Sequence, residues 1–161
     1  YWKNYSLNYV ITNYSNNFGP YQHDEKLIPT IIWNALKGKS IPISGNGKNV
    51  RDWLYAEDHC KALIKVFKNG KNGETYNIGA VNEYYNIDLA HLICEVRDTK
   101  NSTHAPHKNL IELVEDRAEH DFRYAVDASK IKRELNWIPS VDFKMLLDST
   151  IEFYLNKYVN H

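Results

Sequence analysis

Two asparagine side chains follow the first strand-like stretch of the sequence, where they could contact a ligand. Residues 9–14 (YVITNY) are rich in β-branched and aromatic side chains, which favours a buried strand. Asn16 and Asn17 come just after this stretch, and Gly19-Pro20 favours a turn beyond them. An asparagine amide both donates and accepts hydrogen bonds, so it can bind a hydroxyl, a carboxamide or a phosphate ester. The carboxyl end of a strand is also where open α/β sheets bind their ligands.

A cationic side chain, Arg51, could bind an anionic group. A guanidinium is a planar fork that can contact a diphosphate with two hydrogen bonds at once, which an ammonium cannot do. From residue types alone, a surface ion pair of Arg51 with Asp52 or Glu57 is the alternative. Lys26 adds a second positive charge shortly after the turn.

Strands and helices alternate in the pattern of hydrophobic residues and turn signals. Strands are predicted at residues 9–14, 41–44, 50–55, 74–78 and 110–114, and helices at residues 29–37, 57–69, 127–135 and 142–158. A further helix is predicted from Asn86 to the start of a polar loop at residues 98–109. Asp127 and Asp142 are expected to cap their helices. Residues 45–47 (GNG) are expected to form a tight turn that needs positive φ, after which the chain returns as a strand.

Two of these helices show an apolar face, which predicts how they pack. On the helix at 57–69 the predicted inner residues are Ala62, Leu63, Val66 and Phe67. The last helix has a broader apolar face, which predicts core packing or a subunit contact, and it is formed by Leu146, Leu147, Ile151, Phe153, Tyr154 and Leu155.

The composition indicates one globular domain with a hydrophobic core. The 161 residues are 43% hydrophobic and 25% charged. The 20 Lys and Arg residues balance the 20 Asp and Glu residues, which disfavours a general nucleic-acid partner. No apolar run approaches the roughly 18 residues of a membrane span and no signal-peptide pattern is present, so a cytoplasmic protein with no membrane partner is expected. Cys60 and Cys94 are expected to be buried free thiols, and His104 and His107 to lie in a loop without a third metal ligand.

Four motifs resemble the nucleotide-sugar 4,6-dehydratases, which are extended short-chain dehydrogenases/reductases. They are residues 15–22 (SNNFGPYQ) with 26–29 (KLIP), residues 42–58 (PISGNGKNVRDWLYAED), residues 75–79 (TYNIG) with Asn82-Glu83 and Asn86, and residues 116–124 (DRAEHDFRY) with 127–131 (DASKI). Arg51-Asp52-Trp53 looks like the dehydratase branch and unlike the epimerase and decarboxylase branches. The resemblance runs through essentially the whole chain, but only to the C-terminal half of the family.

The resemblance implies a binding site for a nucleoside-diphosphate hexose. Its substrate-binding residues would be Asn16, Lys26, Leu27, Pro42, Ile43, Ser44, Arg51, Asn86, Asp116, Arg117, Ala118, Glu119 and His120. Arg51 and Arg117 would hold the diphosphate, and His120 could donate to a phosphate or a ribose hydroxyl. Asn17 would lie near the nicotinamide of NAD, the cofactor of the family. The resemblance assigns no catalytic residue and no metal ligand to this chain.

The sequence departs from the family pattern at two places. Ser44 stands where members that bind dTDP-sugars usually carry an aromatic residue against the base, which leaves thymidine and uridine both open. Ala118-Glu119 replaces the usual Pro-Gly, which predicts a less sharply turned loop. Asn86 is expected to contact the nucleotide, to cap its helix, or both, since a helix N-terminus also favours a phosphate. Arg123 is expected to pair with an acidic residue.

The other half of the family's machinery is not found in this sequence. It has no G-x-x-G-x-x-G fingerprint after a strand, no Tyr-x-x-x-Lys pair and no Thr-Asp-Glu group. The implied fold class is therefore α/β, the C-terminal part of an extended Rossmann-type short-chain dehydrogenase/reductase, with the last sheet strands and a small mixed α/β substrate-binding domain. Residues 1–161 would form this sugar-nucleotide-binding part, without the NAD-binding part. The start at Tyr1, in place of Met, favours a piece of a longer protein.

The function implied for the parent enzyme is NAD-dependent dehydration of dTDP-glucose to dTDP-4-keto-6-deoxyglucose, by a homodimer. A UDP-glucose 4,6-dehydratase, or a related UDP-sugar epimerase or decarboxylase, is the alternative that Ser44 favours. A second alternative is a truncated remnant that serves only as a binding or interaction fragment. The missing groups predict that the chain by itself binds weakly and does not turn over substrate.

Overall fold

Short strands alternate with helices along the chain. The structure, a computed structural model, describes residues 2–5, 7–100, 103–116, 118, 121–140 and 142–159. The helices are α1 (Trp2–Tyr5), α2 (Leu27–Leu36), α3 (Ala56–Asn69), α4 (Asn86–Lys100), α5 (Ser129–Leu135) and α6 (Phe143–Val159). The strands are β1 (Ile11–Tyr14), β2 (Asn16–Phe18), β3 (Ile41–Ser44), β4 (Val50–Tyr55), β5 (Thr75–Ile78), β6 (Glu83–Tyr85), β7 (Ile111–Val114) and β8 (Arg123–Tyr124), with a 3₁₀ turn at His107–Leu110 before β7.

Most of the strand pairs are parallel. β1 pairs with β5, β3 pairs with β7, and both β2 and β8 pair with β4, each in parallel, whereas β6 is antiparallel to β4. Parallel neighbours need crossover connections, and the helices between the strands supply them. This arrangement confirms the predicted α/β fold class.

The turn after β3 has the predicted backbone, but the strands on either side of it are not partners. Gly45 and Gly47 have φ of 59° and 71°, as the tight turn requires. Gly45 N–H donates to the carbonyl of Val114, 2.8 Å away, which continues the β3–β7 pairing into the turn. The Gly47 carbonyl accepts from Ile87 N–H at 3.0 Å. β7 and α4 therefore hold the turn in place. β4, the strand after the turn, pairs with β2, β6 and β8 and not with β3.

Two hydrophobic clusters lie on opposite faces of β4. Side chains alternate along a strand, so Trp53 packs into a cluster with α2, α4 and α6, while Leu54 packs with α3, β5 and α5. The predicted apolar face of α6 is confirmed, since Leu147, Ile151 and Tyr154 are fully buried in the first cluster.

The predicted inner face of α3 is only half right. Ala62 and Val66 are buried, but 38% of Leu63 and 86% of Phe67 are exposed. Each of these lies one residue, or about 100°, around the helix from its buried neighbour, and the contacts of α3 with β5 and α5 cover only the narrower stripe. The burial predicted for β1 is also wrong in part, since Ile11 is 48% exposed on a strand whose described partner is β5.

The polar loop predicted at residues 98–109 is shorter than expected. α4 continues to Lys100, and residues 107–110 form the 3₁₀ turn. The Asp98 carboxylate accepts from the His107 backbone N–H at 3.1 Å and also contacts the His107 ring, which draws the turn against the helix. Asp142 caps α6 as predicted, since it accepts from Met145 N–H at 2.9 Å. Asp127 accepts from Ser129 N–H at 2.8 Å, at the first residue of α5.

Both cysteines are free, but their environments differ. Cys94 is fully buried in α4, as predicted, whereas Cys60 is exposed on α3, so the burial predicted for Cys60 is wrong. No helix in the described residues has the length and apolarity that crossing a membrane requires.

Candidate functional site

A cleft of about 430 Å³ opens beside β2, β3 and β4. We call it the β2–β4 cleft; it is lined by Asn16, Gln22, Glu25, Lys26, Leu27, Thr30, Pro42, Ile43, Ser44, Arg51, Trp53, Asn86 and Val114. The volume lies within the range of small-molecule sites, roughly 300–1,000 Å³. The lining combines aliphatic side chains with amides, two cations and one carboxylate, a set suited to a polar, anionic ligand.

Most of the site residues predicted from the sequence lie in this cleft. The structure brings together Asn16, Lys26, Leu27, Pro42, Ile43, Ser44, Arg51 and Asn86. They come from five separate stretches of sequence. Asn16 and Arg51 meet because β2 is paired with β4, while β3 and the first turn of α4 flank the turn after β3. Their assignment to a sugar nucleotide stays a prediction.

Of the other predicted residues, Asp116 and Ala118 are described and are not among the lining residues of the cleft. Asp116 is exposed beside the turn after β3, where a Cβ built on Gly45 would come within 3.0 Å of its Oδ2. Ala118 is also exposed. Arg117, Glu119 and His120 lie outside the described residues.

Arg51 is held in the wall of the cleft by backbone acceptors. Only 8% of the residue is exposed. Its Nη1 donates to the Val50 carbonyl at 2.7 Å, and its Nη2 donates to the Asp121 carbonyl at 2.8 Å. Asp52, offered above as a surface partner, instead accepts hydrogen bonds from backbone N–H groups of the residue 80–82 loop. The Arg51 guanidinium is therefore held in one orientation, and Lys26 adds a second cationic side chain to the lining of the cleft.

The capping role predicted for Asn86 is wrong. Asn86 is the first residue of α4, and its side-chain Oδ1 is buried with no hydrogen-bond partner. The first N–H groups of the helix are satisfied by backbone carbonyls instead: Asn86 N–H donates to Asn49, and Ile87 N–H donates to Gly47, both at 3.0 Å. The Asn86 amide is therefore available to the cleft that it lines.

Two lining residues that the sequence analysis did not select carry buried polar atoms without partners. They are Gln22, through Oε1, and Trp53, through Nε1. Side chains alternate along β4, so Trp53 lies on the same face as Arg51. This spacing is the sequence feature that could have identified Trp53 as a lining residue. The Gln22 backbone is fixed by Tyr154, whose hydroxyl donates to the Gln22 carbonyl at 2.8 Å. Burial, together with the charge of Asp24, raises the pKa of Tyr154 to about 12, so this hydroxyl keeps its proton at neutral pH.

Asn17 faces away from the cleft, as expected for the neighbour of Asn16 on a strand. Its Nδ2 donates to the Ser15 carbonyl at 3.1 Å, and its Oδ1 lies 2.8 Å from Nδ1 of His59 on α3. Gln22 Nε2 donates to the Asn17 backbone carbonyl at 2.7 Å, so the Asn17 backbone holds a side chain that lines the cleft. The ion pair predicted for Arg123 is confirmed, with Glu83 at 2.6 and 2.7 Å.

A second cleft, of about 600 Å³, lies on the other face of β4. Asp52, Val81, Val126, Trp137 and Ile138 are among its lining residues. None of the predicted site residues that the structure describes lines it, and the buried polar atoms without a partner in the same part of the chain belong to other residues. The β2–β4 cleft is therefore the better candidate.

The fold is α/β with mostly parallel strand pairs, and the β2–β4 cleft, which carries two cationic side chains, is a candidate ligand site. The sequence model of the GDP-mannose 4,6 dehydratase family matches residues 1–150. The chain belongs to this family. It is similar to the dTDP-glucose 4,6-dehydratase of Escherichia coli, with 49% identity over 158 residues that cover 96% of this chain and 44% of that enzyme.

Two solved structures are similar to the fold described above. The dTDP-glucose 4,6-dehydratase of Bacillus anthracis, in complex with NAD, gives a TM-score of 0.88 at 42% identity and covers 98% of this chain and 48% of that one. The dTDP-glucose 4,6-dehydratase of Streptomyces venezuelae, with NAD and dTDP bound, gives a TM-score of 0.89 at 37% identity and covers 99% of this chain and 47% of that one. The chain thus spans less than half the length of these relatives.

The described residues of this chain do not supply a complete dinucleotide site. The sequence lacks the glycine fingerprint that brings a backbone close to a pyrophosphate. Asn17, the residue that the resemblance places near the nicotinamide, has its amide bonded to Ser15 and His59.

Proposed function

We propose that this chain is the sugar-nucleotide-binding part of a dTDP-glucose 4,6-dehydratase, the enzyme that converts dTDP-glucose to dTDP-4-keto-6-deoxyglucose with NAD. The observation that carries the proposal is the convergence of eight predicted substrate-binding residues in the β2–β4 cleft. The chain's similarity to relatives with that name supports it.

The proposed roles follow from the chemistry of the wall. The Arg51 guanidinium binds the diphosphate, because its planar fork is already oriented by the Val50 and Asp121 carbonyls. Lys26 adds a mobile charge at the open side, since it is exposed. Asn16 and Asn86 supply amide groups, and Pro42 and Ile43 form an apolar surface for the nucleotide.

Residues 1–161 are proposed to be the C-terminal part of the enzyme, with NAD bound chiefly by the part that this chain does not contain. A homodimer and a cytoplasmic location, which the resemblance implies, belong to the same proposal. Light scattering of the full-length enzyme tests the dimer. By this proposal the 161-residue chain binds the nucleotide and does not turn over substrate.

A UDP-sugar enzyme is the second candidate, and Ser44 is the observation that favours it. Ser44 lies in the cleft wall next to Ile43 and its strand partner Val114, and none of these three residues offers a ring on which a base could stack. Trp53, the aromatic residue of the described lining, lies on β4. Without a ring at Ser44, the site has less means of distinguishing the methyl group of thymine.

The test is a calorimetric titration of the chain with dTDP and, in the same buffer, with UDP. We expect saturable dTDP binding that falls by at least about ten-fold in Arg51→Lys, because the ammonium keeps the charge but loses the fork. Arg133→Ala is the matched control, since Arg133 is exposed, outside the cleft, and contacts Glu134. Preferential UDP binding would select the second candidate. If a folded chain binds neither nucleotide, the proposal is wrong and the interaction-fragment alternative gains.

A further inference from the structure

Three buried polar side-chain atoms without partners belong to residues of the β2–β4 cleft: Gln22 Oε1, Trp53 Nε1 and Asn86 Oδ1. Leaving a buried donor or acceptor unsatisfied costs about 1–3 kcal/mol, and native proteins rarely leave such groups together. Among the described residues, seven such atoms occur, and three of them belong to the lining of this one cleft, where a ligand could supply the missing partners.

The chemistry of the three atoms excludes a phosphate as that common partner. Trp53 Nε1 is a donor, whereas Gln22 Oε1 and Asn86 Oδ1 are acceptors. Phosphate oxygens at neutral pH only accept, so they can satisfy the indole but neither amide oxygen. A hydroxyl group both donates and accepts, so a polyhydroxylated group can satisfy all three.

Gln22 and Trp53 lie at the β2 end of the cleft. Trp53 is the strand partner of Asn16, and Gln22 Nε2 donates to the Asn17 carbonyl. Pro42, on β3, and Val114, on β7, belong to a different strand pair. In a dTDP-hexose the sugar of the nucleoside is a deoxyribose with a single free hydroxyl, so the polyhydroxylated group that could satisfy the three atoms is the hexose.

We propose that Trp53 and Gln22 are specificity-determining residues for the hexose. The Trp53 indole N–H donates to one hexose hydroxyl, and Gln22 Oε1 accepts from another. This inference rests on the function proposed above and adds two residues that the family resemblance did not assign. Both are held in place before the ligand arrives: Trp53 is 3% exposed in the core, and Gln22 is anchored by Asn17 and Tyr154.

The indole signals of the chain allow a direct test. With four tryptophans, the ¹⁵N-labelled chain gives four indole N–H resonances, and Trp53→Phe identifies that of Trp53 by its disappearance. We expect saturating dTDP-glucose to move the Trp53 resonance downfield, as for a new hydrogen bond, and dTDP alone to leave it nearly unmoved. The resonance of Trp137, buried on the other face of β4, is the internal control.

Affinities measured on variants make the test quantitative. Trp53→Phe and Gln22→Met are each expected to weaken dTDP-glucose binding about 3- to 10-fold, the value of one hydrogen bond, and to leave dTDP binding within about two-fold. Trp137→Phe is expected to change neither affinity. Because dTDP lacks the hexose, damage to the cleft as a whole would lower both affinities together.

Each other result overturns the inference. Equal losses for dTDP and dTDP-glucose would move the two residues from the hexose to the nucleotide. Unchanged dTDP-glucose binding in both variants would show that the two atoms contact no hydroxyl. If the wild-type chain binds neither dTDP nor dTDP-glucose, both the proposed function and this assignment are wrong. If the wild type binds dTDP but the two variants bind dTDP-glucose as tightly as the wild type does, only the assignment is wrong.

Discussion

His59 Nδ1 lies 2.8 Å from Asn17 Oδ1, so a side chain of α3 fixes the amide of a residue on β2. Asn17 Nδ2 donates to the Ser15 carbonyl, which leaves Oδ1 as the acceptor in this pair. Nδ1 of His59 must then carry the proton, and Nε2 is buried without a partner. The His59 ring also packs against Tyr14, with 4.5 Å between ring centroids.

Replacing His59 by Phe should destabilise the chain by about 1 kcal/mol, because the Asn17 amide loses its donor while the aromatic contact with Tyr14 remains. Urea unfolding measures the change. In the double variant with Asn17→Ala, the two losses should not add, since both remove the same hydrogen bond. Full additivity would show that this contact contributes nothing to stability.

The same pair predicts a pH dependence. Burial lowers the pKa of His59 below its ordinary value of 6.5, because a proton on Nε2 would be an unpaired charge in the interior. The unfolded chain then binds this proton more tightly than the folded chain, so stability is complete above pH 6.5 and is lost as the pH falls below it. Urea midpoints between pH 7.5 and 5 should fall more steeply for the wild type than for His59→Phe. Parallel curves would contradict the assignment.

The sequence predicted which residues line the cleft better than it predicted which strands pair around the cleft. The family resemblance assigned Asn16 and Arg51 to one site, and the structure brings them into one cleft because β2 and β4 are adjacent parallel strands. The sequence could not show that β3 would pair with β7, since strand partners 70 residues apart, such as Ile41 and Ile111, are chosen by tertiary packing.

The missed site residues have a related cause. Trp53 and Gln22 were recognised only as parts of motifs. What marks them is the absence of a partner for a buried polar atom, which depends on the whole surrounding core and has no local signature. For the same reason the sequence around Asn86 predicts a helix cap, although backbone carbonyls already accept from the first two N–H groups of α4.

Asp52 should be a strong determinant of stability. The residue is 1% exposed, and its carboxylate accepts from Ala80 N–H at 2.9 Å and from Asn82 N–H at 2.8 Å. Asp52→Asn would set an amide N–H against one of these donors, so we expect a loss of about 2–3 kcal/mol in unfolding free energy. Asp88→Asn, at an exposed site in the first turn of α4, should cost less than about 1 kcal/mol. Similar losses in the two variants would contradict the role of the buried carboxylate.

The two thiols should differ sharply in reactivity. Cys60 is exposed, whereas burial raises the pKa of the fully buried Cys94 to about 12, helped by the charges of Asp98 and Glu95. Because the thiolate is the reactive form, a thiol reagent should modify one cysteine of the folded chain quickly and the other only on unfolding. Cys60→Ser should abolish the fast phase and leave the slow one. Two fast equivalents in the folded wild type would show that α4 opens readily or does not pack as described.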